Sequence, residues 1–414
     1  MNASNEIPIG ASRSSGDSEY SSDGDGSVML DELMTQIVTA DEMMNTGLLY
    51  ARFTKARIDR CKRDTNVKRF VSHFGSIPEV VVLIFEDLQL TDIDEARLDP
   101  KDVNLKFFLM ALHFLKCYPT ENEREAMFDI SPKWGREKVW LYVQKIQALK
   151  AEAINWPQDN FTNDIWIMTV DGTHFWIEEP THSEWSQDRE YYSHKFNKAG
   201  INYELGISIS TQQLIWMNGP FKAGSNDKWV FDNGGLRDKL KELGKKAIGD
   251  NGYRGNVETV SFPNPQDPRP VKKFKSRALN RHETFNGLIK HFKSLDGRFR
   301  HGPVKLGICI EAVCVICQYQ IEHNNPLFDV LIDDVLKEDE SSDEESERND
   351  YDGDHDDDDE DEDEDEAGDE RDANDSRSDG AAAAAAAAGG GGDDDDDDDD
   401  DDVDVDVDGG AYPN

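Results

Sequence analysis

The stretch IWIMTVDGTHFW, residues 165–176, runs apolar for six residues into Asp171 and a glycine. Such a run bounded by turn residues reads as a buried strand, with the acid projecting where the strand ends. A second stretch, KAIGDNGYRG (246–255), repeats the pattern on a smaller scale, with the short run KAI leading into Gly249 and Asp250. A third, LNRHETFNGLIK (279–290), is different. From Ser276 to Leu295 the apolar residues Leu279, Phe285, Leu288, Ile289 and Phe292 recur at helical spacing, with Arg281, Lys290 and Lys293 elsewhere on the helix. One face of that helix can pack on a sheet while Glu283 looks outward. Taken singly, each acid has an ordinary reading. VDGTH and GDNGY resemble turns, and a lone helical glutamate is usually a solvated side chain.

Asp171, then GDNGY carrying Asp250, then Glu283 on a helix with Lys290 seven residues later resembles the catalytic core of DDE transposases, in particular the PIF/Harbinger and related DDE superfamily endonuclease branch. Further matches are GPFKAGSNDKWVF (219–231), similar to the family's glycine-rich turn followed by Asp and a helix, FRHGPVKL (299–306) after the glutamate helix, and the terminal CVICQYQIEHNNPLF (314–328). Relatives often carry an arginine four residues before the glutamate. Here Leu279 holds that position, flanked by Arg277 and Arg281.

The resemblance spans roughly residues 160–330 and implies an α/β catalytic domain with an RNase H-like mixed sheet. It implies that Asp171, Asp250 and Glu283 are the catalytic residues and the ligands of two Mg²⁺ or Mn²⁺ ions, with Asp171 bridging the pair. Two such ions about 4 Å apart activate a water and stabilise the leaving oxygen in phosphodiester cleavage. Hard oxygen donors suit these cations. The same arrangement would act twice, first with water to nick a DNA end, then with the freed 3′-hydroxyl to attack target DNA. The partner implied is double-stranded DNA, both transposon ends and target. A homo-oligomer and an accessory DNA-binding protein stay open.

The charge distribution supports a polyanionic partner despite a net charge of −42. Residues 338–414 hold 39 acids against 3 arginines, leaving the remainder at only −6. Residues 270–305 hold 10 Lys and Arg against 2 acids, and residues 51–70 hold 8 against 2, enough to attract phosphate. The candidate DNA contacts there are Lys273, Lys275, Arg277, Arg281, Lys290 and Lys293. For any single lysine the alternative is a solvated face.

Residues 48–156 read as a small all-α domain. RFVSHFGSIPEVVVLIFEDL enters a helix through Pro78, and NLKFFLMALHFLKCY, NEREAMFDI and PKWGREKVWLYVQKIQALK give three more. FDIS (128–131) resembles a transposase helix-turn-helix, with Asp129 in place of the usual Gly and Lys133–Lys138 reading as a lengthened connection. In that reading Lys133, Arg136 and Lys138 open the recognition helix and face DNA; the alternative is ordinary helical packing. Residues 1–47 and the acidic low-complexity segment 338–414 contain too little apolar surface to fold and are expected to be disordered. The acidic segment could mimic nucleic acid, contact histones or serve solubility alone.

Five cysteines, with no signal peptide or apolar run of membrane length, point to a reduced intracellular protein with no membrane partner; the resemblance places it in the nucleus. Cys314 and Cys317 form a CxxC beside Cys309, inside an apolar run that favours core packing over zinc. His174, His194, His282, His301 and His323 show no metal-ligand spacing. The overall expectation is a transposon-encoded DDE endonuclease. Its alternatives are a domesticated DNA-binding derivative without strand transfer, and a chromatin-binding protein acting through the acidic tail.

Overall fold

The computed structural model describes residues 35–157, 165–178, 189–193, 195–323 and 325–330. The acidic tail and most of the first 47 residues lie outside the described residues.

The first part is helical: α1 (Ala40–Tyr50), α2 (Lys55–Arg60), α3 (Arg63–Phe74), α4 (Pro78–Leu90), α5 (Leu105–Cys117), α6 (Glu121–Phe128), α7 (Pro132–Ala148) and α8 (Lys150–Ala153). Local chemistry sets the ends. α1 and α6 start with capping boxes, Thr39 with Glu42 and Thr120 with Glu123. Gly75, at φ 87°, closes α3, and Pro78 opens α4 two residues after Ser76. Helix α1 begins inside the 1–47 segment expected to be disordered, because Met43, Met44 and Leu48 find a core to enter.

The sheet is mixed. Its strands are β1 (Trp166–Trp176), β2 (Tyr192–Ser193), β3 (Lys198–Ser208), β4 (Leu214–Lys222), β5 (Lys246–Ile248) and β6 (Val260–Ser261). The spatial order is β2-β3-β1-β5-β6, with β4 also on β3. β1/β3 and β3/β4 are antiparallel, whereas β1/β5 and β5/β6 are parallel. This mixed α/β arrangement is compatible with an RNase H-like core. Between β4 and β5 come α9 (Asp227–Asn233) and α10 (Leu236–Leu243); after β6 come α11 (Arg269–Lys290) and α12 (Pro303–His323).

Strand periodicity divides the helices between two faces. Met168 and Val170 pack with Phe231, Leu236 and Leu240 from α9 and α10. Phe175, Leu205 and Ile207 face the other way, into the core shared with Phe285 and Ile289 of α11 and with α12.

α12 explains why the helical segment and the sheet form one body. It is apolar on all sides, and by length and composition it is a run that could cross a membrane, contrary to the sequence expectation. Its apolarity has another cause, since 83% of its most apolar window is buried within the protein. The sheet covers one side, and α4, α7, α8 and α11 cover the rest. Its few polar groups are satisfied across that boundary: Tyr319 Oη donates to Asp87 (2.6 Å), Gln320 Nε2 to the Gly75 carbonyl (2.8 Å), and Glu311 accepts from Gln147 and Lys150 (both 2.6 Å). The buried residues of the helical segment thus join one cluster with those of α11, α12 and the facing side of the sheet. Cys309, Cys314 and Cys317 are buried in this helix, as the apolar run indicated.

The α6–α7 connection is residues 129–131, because Pro132 starts α7 at once. Lys133–Lys138 is thus the first part of the helix, not a longer link. Asp129 adopts φ 49°, ψ 65°, the left-handed conformation a glycine would favour and that Asp tolerates. Asp129→Gly should leave the thermal unfolding midpoint nearly unchanged, whereas Asp129→Val should destabilise by about 1–2 kcal/mol.

Candidate active site

β1 does not end at Asp171. It continues antiparallel to β3 as far as Trp176 opposite Gly200, because the following residues alternate inward and outward as a strand. What ends there is the parallel pairing. Thr169 lies opposite Ile248, so Asp171 and Asp250 each sit two residues beyond the last β1/β5 pair, side by side at its C-terminal end. Helix α11 brings Glu283 to the same place.

The convergence has an electrostatic signature. Burial, then the charges of Glu283, Asp227 and Asp250, push the Asp171 carboxyl up to about 7, against one opposing hydrogen bond from Gly172 N. Among the described residues, no Lys or Arg forms an ion pair with Asp171, Asp227, Asp250 or Glu283.

Asp227 is a fourth carboxylate that the sequence analysis did not single out. It stands in the first turn of α9, after the N-cap Asn226, whose side chain accepts from Trp229 N (2.8 Å). It approaches from the α9 side of the sheet, so close to Gly172 that a Cβ there would collide with its Oδ1. A Cβ at Gly252 would lie 2.9 Å from Asp250 Oδ1 and 3.1 Å from Asp227 Oδ2, so the two carboxylates face each other across that glycine. Its carboxyl is raised by burial and by Asp250, and lowered by Lys195 and Asn202. Behind it lies Glu204, paired in register with Gly172 and bonded to Trp216 Nε1 (2.8 Å). Burial above all pushes Glu204 up to about 8, which keeps it protonated at neutral pH.

α11 does more than present Glu283. Asn286, one turn on and buried, donates to Asp171 Oδ2 (3.1 Å) and accepts from Thr173 Oγ1 (2.8 Å). His282 pairs with Thr169 Oγ1 through Nδ1 (2.8 Å); burial pushes it down to about 3, so it is a neutral internal strut. Arg281, 0% exposed, donates to the carbonyls of Ser208 (2.7 Å), Ile209 (3.1 Å) and Phe328 (3.4 Å).

This geometry corrects part of the expected DNA-binding set. Arg281 and Lys275 are internal: Lys275 is 4% exposed and bridges Asp267 (2.8 Å) and the Phe262 carbonyl (3.3 Å). Lys138 is held at 2.8 Å by Asp102 over the ring of Trp134. Arg281 and Lys275 lie on the inward side of their helix, which net charge along the sequence does not reveal, whereas Lys138 is half-buried. Lys290 is exposed, and so is Lys293, which pairs with Asp296; Lys273 and Arg277 are half-buried. Lys133 is exposed, and Arg136 is exposed while paired with Glu121 (3.2 Å).

Past the acids, β1 leads to an aromatic and basic surface. The His174 and Trp176 rings stack at 6.2 Å, Phe196 meets both edge-on, and Lys198 lies over Trp176. Trp176, Lys198 and Arg298 line a groove of about 630 Å³.

Residues 170–318 match the DDE superfamily endonuclease family. All four carboxylates and Asn286 fall inside the match, which covers somewhat over a third of the chain. It supports a transposase-like enzyme of nuclease type with a DNA substrate, and nucleases of this superfamily generally use divalent metal ions. No curated protein and no solved structure matches the chain.

Two outcomes follow from the electrostatics. The folded Asp171 holds a proton that the unfolded chain releases near its ordinary value of 3.8, so metal-free stability falls as pH rises from about 4 through about 7. Asp171→Asn removes that penalty. In thermal melts without metal, the variant should gain a few degrees on the wild type between about pH 5 and pH 8; a constant difference would contradict the assignment. Arg281→Ala, which strands three carbonyls, should destabilise by about 3 kcal/mol in denaturant titration, where a surface DNA contact would cost almost nothing.

Proposed function

We propose that this chain is a PIF/Harbinger-type DDE transposase that cleaves DNA phosphodiesters and joins the freed 3′ end to target DNA, on an RNase H-like core. The observation that carries the reading is the convergence of Asp171, Asp227, Asp250 and Glu283, with no ion pair to any of them among the described residues, inside the matched segment. Like charges raise one another's free energy, and such a cluster is relieved by a divalent cation. An all-carboxylate donor set fits hard ions of the Mg²⁺ or Mn²⁺ kind.

Asp171, Asp250 and Glu283 would hold the ions, with Asp227 adding charge from the opposite side. Bound there, two divalent ions supply Lewis-acid stabilisation of the phosphate oxygens and an acidified water. The chain's own part is positional. Gly172 N and Asn286 fix the two oxygens of Asp171, and the Thr169–His282 pair and the Arg281 clamp fix the helix carrying Glu283. His282, neutral and buried, takes no part in proton transfer.

DNA would approach over the exposed Lys290 and Lys293 and over the Lys195–Lys198 segment, of which Lys195 lies near enough to Asp227 to lower its carboxyl. The α6–α7 pair, with Lys133 and Arg136 at its open end, is the second proposed contact, as a helix-turn-helix.

The test is nicking of supercoiled plasmid carrying the sequences that flank the coding region, with Mg²⁺ or Mn²⁺. Asp171→Asn, Asp250→Asn and Glu283→Gln should each reduce nicking at least 100-fold while DNA affinity holds. Lys290→Ala with Lys293→Ala should weaken binding and flatten its salt dependence by up to about two units of log–log slope. Carboxylate variants that nick like the wild type would overturn the proposal.

A further inference from the structure

The helical segment contains a second group of ligating side chains, remote in character from the carboxylates. His113 and Cys117 sit one turn apart on α5, which places them on the same face. The last turn of α3 adds His73, whose ring stacks on that of His113 at 5.9 Å and 16°. One ligand atom from each of the three lies within 4.8 Å of the others.

Core packing accounts for their burial but not for their polar atoms. His113 is only 7% exposed, yet its Nδ1 has no hydrogen-bond partner, and neither has Nδ1 of His73. Two buried ring nitrogens without a partner carry an uncompensated desolvation cost. The Cys117 thiol lies beside the carbonyls of Ser72 and His73, at 3.7 and 3.6 Å, so its sulfur is held at the end of α3.

We propose that His73, His113 and Cys117 form a zinc site that joins the C-terminal end of α3 to α5. Two imidazoles and a thiolate suit a borderline cation such as Zn²⁺ and not the hard ions that fit the carboxylate cluster. Small side-chain rotations bring such atoms to the ~2.0–2.3 Å of zinc bonds, with a fourth position left to water. The buried Nδ1 of His113, which has no hydrogen-bond partner, is a nitrogen that a neutral imidazole could offer to the cation. On binding, the Cys117 S–H bond breaks, the proton passes to solvent, and sulfur and one nitrogen of each ring donate to the cation. Because binding releases that proton, the step is favoured by higher pH. Lys116 and Arg124 oppose a cation here and Glu123 favours it, and the thiolate's charge offsets the difference.

The site would brace the region that carries α6 and α7, because Phe128 of α6 lies edge-on against His113 at 5.8 Å. Its test does not depend on nuclease activity. Full-length protein freed of metal with a chelator is titrated with Co²⁺ as a spectroscopic stand-in for Zn²⁺. We expect a thiolate-to-metal charge-transfer band saturating at one equivalent, displaced by Zn²⁺, and a higher melting temperature with Zn²⁺. Cys117→Ser should abolish the band, and His73→Gln should weaken Co²⁺ binding at least tenfold. Asp171→Asn with Asp250→Asn should leave the band intact. Circular dichroism of each metal-free variant checks that it is folded; should Cys117→Ser not fold, the half-buried His73→Gln decides. Absence of the band in the wild type, its survival in Cys117→Ser, or unchanged affinity in His73→Gln would overturn the proposal.

Discussion

Four carboxylates around the end of one parallel strand pair repel one another, and much of the catalytic half of the chain works to hold them there. Asp171 cannot rotate away, since Gly172 N and Asn286 Nδ2 take its two oxygens. Glu283 cannot drift, since its helix is fixed by a neutral histidine on Thr169 and by an arginine that gathers three carbonyls. Gly172 and Gly252 leave the space in which Asp227 approaches. A fold that spends buried hydrogen bonds on keeping like charges together stores a free energy that a divalent cation can release. Burial first, and then the neighbouring charges, raise the carboxyl of Asp171 in the metal-free protein.

The helical segment depends on the same body through α12. A helix apolar on every side needs cover on every side, and the sheet supplies only part of it. α4, α7, α8 and α11 supply the rest, so α7 packs into the same body as the catalytic sheet.

Parts of this were legible in the sequence for identifiable reasons. Asp171 and Asp250 each follow an apolar run and precede glycine, and Glu283 interrupts a basic amphipathic helix, so each leaves a local pattern. Asp227 is the acid of the stretch GPFKAGSNDKWVF, but an acid in a helix's first turn is what capping alone would select, so nothing local marked it as a site residue. Asn286 and His282 look like ordinary helical residues until β1 is seen to pack on them. Lys275 and Arg281 are internal although the sequence put them among the DNA contacts, because clustered positive charge says nothing about which side of a helix faces solvent. The strand through Asp171 ran on to Trp176 because pairing with β3, a long-range contact, overrides the local turn signal of VDGTH. The start of order at α1 was hidden by composition, since a short apolar stripe of Met43, Met44 and Leu48 follows a long polar stretch.

The most direct test of the central claim is anomalous diffraction from crystals of the protein soaked in Mn²⁺. The carboxylate cluster predicts at least one strong anomalous peak within bonding distance of both Asp171 and Asp250, lost in Asp171→Asn crystals treated identically. Crystals that bind Mn²⁺ elsewhere on the protein but show no peak between these acids would contradict it.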